Sequence, residues 1–244
     1  PIAHNLNVTL RIVDATGHEW VHEQRWPWGR PTTTWKLYDV WFDGHKVTLP
    51  PDAPPGIYRA EVEFFDPDTQ QLLPAFDLHQ QAPLTAAYVL GYVLVGQPSA
   101  PHQPLSPPFE LGQEARLLGA ELTPTTTIQP GGIIQVRLDW QAKRAIHTDY
   151  TAFVHLRDAS GQPVASADRA PAAERFPTSQ WRKGDRILSE YSLPLPAKLS
   201  AGAYQIWVGL YESKSAGTLR LPVTEKAGRT TGDGELLLGT VVVH

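Results

Sequence analysis

The sequence predicts an all-β chain of two tandem β-sandwich modules of the immunoglobulin or fibronectin kind, the first lacking its two leading strands. Three observations carry this. First, Trp35, Leu49, Pro50, Gly56, Tyr58, Val62 and Phe65 stand 146 positions before Trp181, Leu195, Pro196, Gly202, Tyr204, Val208 and Tyr211, and self-similarity at a fixed offset marks a repeated structural unit. Second, apolar residues within the repeated phrase recur every second position, the period of a strand with one buried face. Third, 19 Gly and 23 Pro among 244 residues, with only 19% charged residues, suit many short strands joined by turns.

The first module opens on a strand over residues 6–14, with Val8, Leu10 and Ile12 inward. The turn Asp14-Ala-Thr-Gly17 follows, its glycine placed for a left-handed hairpin position. The echo is Ala152, Val154, Leu156 and Asp158-Ala-Ser-Gly161, 144 positions on. His18-Glu-Trp-Val-His22 spells the HExxH pattern of zinc proteases, which needs a helix to bring both histidines to one ion. After a hairpin turn it reads as a strand, where the two imidazoles stand roughly 13 Å apart, so no metal site is expected.

A strand is predicted through Trp41, His45, Val47 and Leu49, matching Ile187, Tyr191, Leu193 and Leu195 in parity. A glycine corner follows in each copy, Ala53-Pro-Pro-Gly-Ile-Tyr58 and Leu199-Ser-Ala-Gly-Ala-Tyr204. Gly56 and Gly202 permit a positive φ there. Tyr58 and Tyr204, two residues later, match the tyrosine corner of such sandwiches, whose hydroxyl bonds back to the chain. Tyr58, Ala60, Val62 and Phe64 then point inward, with Arg59, Glu61 and Glu63 on the solvated side. Residues 88–95 and 236–243, apolar on both faces, read as well-covered closing strands. Residues 97–111, with prolines at 98, 101, 104, 107 and 108, read as an extended spacer. The domains are therefore 1–96, the spacer 97–111, and 112–244. The second module adds strands over 115–123 and 133–141 that the first lacks, so the first is expected to expose a sheet edge. Strands supplied from upstream, or a dimer formed through that edge, would complete it.

Candidate binding residues lie where the copies diverge. Trp26 and Trp28, flanked by Arg25 and Arg30, align with Ala172 and Glu174. The shared fold therefore does not demand these rings, and they suit an aromatic shelf for a glycan or a partner protein. Folding over one end of the sandwich is the structural alternative. Trp35 and Trp181 recur inside Pro-Thr-x-x-Trp in both copies and read as scaffold. Asp66-Pro-Asp68 and Gly232-Asp-Gly-Glu235 read as acidic turns before calcium ligands, and His155 as a solvated histidine without a partner.

A formal net charge of −4 argues against nucleic acid as a partner. Zero cysteines exclude disulfides and thiolate metal sites. The longest apolar run, 86–95, falls short of the ~20 residues a membrane helix needs. No nucleophile elbow, phosphate loop or dinucleotide fingerprint occurs, so neither a cofactor nor an enzyme is expected. A glycosidase or metal hydrolase is the remaining catalytic alternative. The chain opens on Pro1 and contains no Met, and it is expected to be a piece of something longer.

The composite phrase runs Asp-x-x-Gly, Pro-Thr-x-x-Trp, Leu-Pro, Gly-x-Tyr, then an aromatic before an acidic residue. It resembles the soluble C-terminal sandwich regions of bacterial multi-spanning membrane proteins of the dolichyl-phosphate-mannose mannosyltransferase-like class. The resemblance covers residues 6–95 and 149–243. It implies an extracytoplasmic location, a membrane connection only through upstream sequence, and an accessory role beside a lipid-linked-sugar glycosyltransferase. That class's catalytic acids lie in its membrane part, and none is implied here.

Overall fold

The structure is a computed structural model that describes residues 2–73, 76–77, 82–83, 87–96, 103–172, 175–214, 217–224 and 233–244. The chain is all-β, with no α-helix among the described residues, and divides into two compact units, Pro1–Gly96 and Gln97–His244.

The first unit holds β1 (Asn7–Val13), β2 (Glu19–Arg25), β3 (Gly56–Asp66), β4 (Gln71–Leu73), the two-residue pair β5 (Phe76–Asp77) and β6 (Ala82–Pro83), and β7 (Tyr88–Val95). Its main sheet runs β2-β1-β3-β4, with β7 also paired to β3. Val8, Leu10 and Ile12 are buried on one face because alternate strand residues share a side. On the other face Arg11 lies 3.1 Å from Glu61 and 3.2 Å from Glu63. The outward glutamates are thus not solvated. Glu61 is buried beneath Arg11 and Arg59, a pairing that makes its burial affordable.

The second unit holds β8 (Pro104–Leu111), β9 (Ala115–Thr123), β10 (Thr127–Ile128), β11 (Ile133–Ala142), β12 (Thr151–Arg157), β13 (Pro163–Arg169), β14 (Arg186–Pro194), β15 (Gly202–Lys214), β16 (Gly217–Arg220), β17 (Val223–Thr224) and β18 (Leu236–Val243). One sheet runs β10-β18-β15-β12-β13 with β16 on β15, the other β14-β11-β9-β8-β17. Their inner faces meet where Leu122 of β9 reaches Gly239 of β18. Ile134, Val136, Leu138 and Trp140, every second residue of β11, have zero exposure and form the centre of this core.

The order β2-β1-β3-β7 recurs as β13-β12-β15-β18, with its irregularities in the same places. The ladder slips between Ile12 and Val13 in one unit and between Leu156 and Arg157 in the other. It slips again between Ala60 and Glu61, and between Ile206 and Trp207. The hydrogen-bonded turns recur too. Asp14 Oδ1 accepts from the backbone N–H of Thr16 and His18, and Asp158 Oδ1 does so from Ser160 and Gln162. Tyr58 donates its hydroxyl hydrogen bond to Pro54 O at 2.6 Å, and Tyr204 to Ser200 O at 2.9 Å. The Pro-Thr-x-x-Trp phrase is a clamp. Buried Thr32 accepts from Leu6 N–H and donates to His4 O; Thr178 accepts from Tyr150 N–H and donates to Thr148 O.

Four expectations need correction. Residues 104–111 are not spacer but β8, which pairs with β9 and β17. Pro107 and Pro108 fall where the ladder is interrupted, between Pro104 and Phe109, and Pro104 stands at the strand's first residue, the places open to residues without an N–H. Fully buried Phe109 and Leu111 anchor the strand, and the rest of the predicted spacer, residues 97–102, lies outside the described residues. Gly202 takes a positive φ of 147°, whereas Gly56 does not. The strand predicted through Trp41 to Leu49 does not form. Its counterpart β14 is paired residue for residue with β11, and the first unit has no counterpart of β11 among the described residues. Without a neighbour the backbone has no ladder to join. Burial still alternates there, odd-numbered residues from Trp41 to Leu49 half-buried and even-numbered ones exposed. Finally, β7 is not well covered: Tyr88, Leu90 and Val93 are each more than half exposed.

Candidate functional site

The chain leaves β2 into a one-turn 3-10 segment, Pro27–Gly29, which carries Trp28, with Trp26 immediately before it. Trp26 is 44% exposed and Trp28 49%, so neither ring is folded into the core. Trp28 stacks on Trp41, centroids 4.8 Å apart and planes 26° from parallel. The Arg30 guanidinium lies 5.5 Å from the Trp28 ring and 5.4 Å from the Trp41 ring, within cation–π range.

Trp28 holds a φ of 52°, a left-handed conformation costly for a bulky residue. Asp43 fixes it, Oδ1 accepting the Trp28 N–H at 2.9 Å. Asp43 is itself fixed in a ring of charges with Glu23, Arg25 and His45. Arg25 lies 2.8 Å from Asp43 and 3.0 Å from Glu23, and His45 lies 3.0 Å from Asp43 and 3.4 Å from Glu23. Burial acts to raise the Asp43 carboxyl, but the Trp28 N–H, Arg25 and His45 outweigh it and hold it below the usual carboxylate range. Glu23 is lowered likewise, Arg25 and His45 outweighing burial.

The structure thus separates the predicted site residues. Trp28 and Arg30 share a surface with Trp41 and Trp26 is exposed beside them in sequence, while Arg25 supports this loop, also donating to the backbone carbonyls of Trp26 and Gly44. Its counterpart Arg169 lies 4.9 Å over the ring of Tyr191, so this arginine belongs to both units. Trp35 is half-buried, and Trp181, with 1% exposure, is core. Sequence reasoning missed Trp41, Asp43, His45 and Glu23. The available signal was Asp43, a carboxylate at an inward position between two aromatic rings.

Other candidates resolve into ion pairs. His4 Nδ1 lies 3.5 Å from Asp66 and 3.6 Å from Asp68, and their three ligand atoms are mutually within 4.8 Å. In the second unit the equivalent positions hold Glu212 and Lys214, 3.2 Å apart, so this corner takes a countercharge in both units. Glu235, weighed for calcium, is buried and held at 2.7 Å by both Arg157 Nη atoms, with Arg220 at 3.0 Å. His155 is not without a partner: its Nε2 lies 3.0 Å from Asp168 Oδ1, on the neighbouring strand and invisible to spacing along the sequence. His22 contacts Glu19 from within β2, the strand expected for the HExxH segment.

No family model matches the sequence, and no curated protein matches it. Among solved structures, the C-terminal domain of wzt is 12% identical, covering 56% of this chain and 77% of that one, with a TM-score of 0.39. A β-glucuronidase from glycoside hydrolase family 2 is 11% identical, covering 46% of this chain and 10% of that one, at 0.28. A Corynebacterium diphtheriae protein described as membrane anchored is 10% identical, covering 97% of this chain and 52% of that one, at 0.24. Similarities this low carry no argument about function.

Proposed function

We propose that this chain is a non-catalytic, extracytoplasmic accessory region of a larger bacterial membrane protein of the glycosyltransferase-like class. In this reading it is built from two tandem immunoglobulin-like modules and binds a glycan on the Trp26–Trp28–Arg30 surface of the first. The observation that carries the binding reading is the exposed Trp28 indole, stacked on half-buried Trp41 and held in a strained backbone by a dedicated carboxylate. Rigid aromatic faces bind with little ordering cost, and a shelf stacked and hydrogen-bonded before any ligand arrives has that property. Arg30 adds donors beside the rings for hydroxyl or acidic groups. The two carboxylates beneath the shelf are held ionised by Arg25 and His45. Neither is poised to donate a proton at neutral pH, as a glycosidase acid must be, which supports binding over hydrolysis. The location and the membrane context rest on the motif resemblance.

A glycan-array screen of the full chain, with Trp26→Ala/Trp28→Ala as the paired variant, tests this. A retained ligand whose binding falls at least about tenfold in the variant is the expected result for a stacking contact of ~1.4 kcal/mol or more. No retained glycan, or equal retention by the variant, refutes it.

A further inference from the structure

The inner face of the first unit is open where that of the second is closed. Phe64 is 37% exposed, Tyr88 53% and Val93 52%, whereas the equivalent Leu210, Leu236 and Val241 are 1%, 0% and 0%. Residues 40–48 take the place of β14 and lie beside β2, through the contacts of Asp43 and His45 with Arg25 and Glu23. They cover the β2–β1 side; on the β3–β7 side Tyr58 is buried, while Phe64, Tyr88 and Val93 stay exposed. Two backbone edges are bare as well. Residues 40–48 join no ladder, and β7 pairs with β3 alone among the described strands.

We infer that a second copy of this chain closes the first unit about a two-fold axis. The β3–β7 half of each sheet packs on that of the other copy, and residues 40–48 of each lie along β7 of the other. The half-sandwich is self-complementary in the way such an axis demands. It offers one covered half bearing a free strand and one uncovered half ending in a free sheet edge, so a single operation fills both twice. The incompletely buried residues of the contact face, Ala60, Val62, Phe64, Tyr88, Gly91 and Val93, are uncharged, so meeting itself brings no like charges together. Exposed apolar faces and unpaired strand edges are both surfaces that seek a partner. The second unit, already closed by its own β14-β11-β9-β8 sheet, shows how fully such a face is buried once covered. This inference is independent of the glycan reading, which concerns the Trp loop.

Sedimentation of the full chain over ~1–100 µM, with hydrogen exchange read at residues 40–48, tests the proposal. The expected result is a species of twice the chain mass with those amides protected. Val93→Glu should weaken the dimer at least about tenfold by burying an unpaired charge and should free the same amides. Val93 is half exposed, so the monomer tolerates the change, which an unaltered circular dichroism spectrum verifies. Leu219→Glu, at an exposed residue of the second unit, should leave the dimer intact. A monomer throughout the range overturns the proposal. So does a dimer indifferent to Val93→Glu, one broken equally by Leu219→Glu, or one whose residues 40–48 exchange freely.

Discussion

Strands β7 and β18 pair with β3 and β15 in the same register and slip at the same place, yet they live in different surroundings. Leu236 and Val241 are fully buried, while Tyr88 and Val93 are more than half exposed. Sheet pairing and core burial are therefore separable. The ladder, the Asp turns, the Thr clamp and the tyrosine corner are local or nearest-strand devices, and they assemble in both units. Burial needs a second sheet of comparable size, and among the described residues the first unit has only the two-residue pair β5–β6 beside its main sheet, where the second has five strands. Where that sheet is absent, the segment that would have been its edge strand is redirected into the Trp28–Trp41 stack and the charge ring beneath it.

The comparison can be broken most sharply at Trp140, on the strand that only the second unit possesses. Trp140→Ala should destabilise that unit by about 3–5 kcal/mol through cavity formation. Val93→Ala, on the open face of the first, should cost the monomer well under about 1 kcal/mol. Urea unfolding followed separately for each unit by hydrogen exchange measures both. The Thr clamps should be next in size. Thr178→Val and Thr32→Val each leave a backbone N–H and a carbonyl unpaired and should cost about 1–3 kcal/mol. Equal losses would show that the clamp works without the second sheet, and a loss confined to Thr178 would tie it to the closed core.

The tyrosine corners sharpen this further. Tyr204→Phe and Tyr58→Phe should each cost about 1 kcal/mol, read from denaturation midpoints. The charge ring gives a test confined to the first unit. Asp43 and Glu23 are lowered in the folded state, so their contribution is present above the ordinary carboxylate values and is lost as pH falls through the depressed ones. Near-ultraviolet circular dichroism from the Trp28–Trp41 stack should persist through mildly acidic pH and collapse below the usual carboxylate range. Asp43→Asn should move that collapse to higher pH. The smallest effect concerns Tyr38, which holds a φ of 72° where the second unit has Gly184 at 94°. Tyr38→Gly should stabilise the first unit by at most about 1 kcal/mol, and Gly184→Tyr should do the reverse.

The sequence by itself determined the all-β class, the inward sets of β1 and of its echo β12, and the corner and turn residues, because strand alternation and turn chemistry act between residues near in sequence. It also marked Trp26 and Trp28 as additions to a shared scaffold, through their divergence from the other copy. It misjudged residues 40–49, whose alternation is that of a strand, because pairing depends on a neighbour that alternation cannot report. It missed the partners of His155 and Glu235 for a related reason: Asp168, Arg157 and Arg220 lie on other strands, and Coulomb contacts follow distance in space. The tertiary structure alone decided that Asp43 and His45 serve the aromatic shelf and that the face of β7 is open. Both depend on which sheet is present to lie across the strand, and no residue within the strand encodes that.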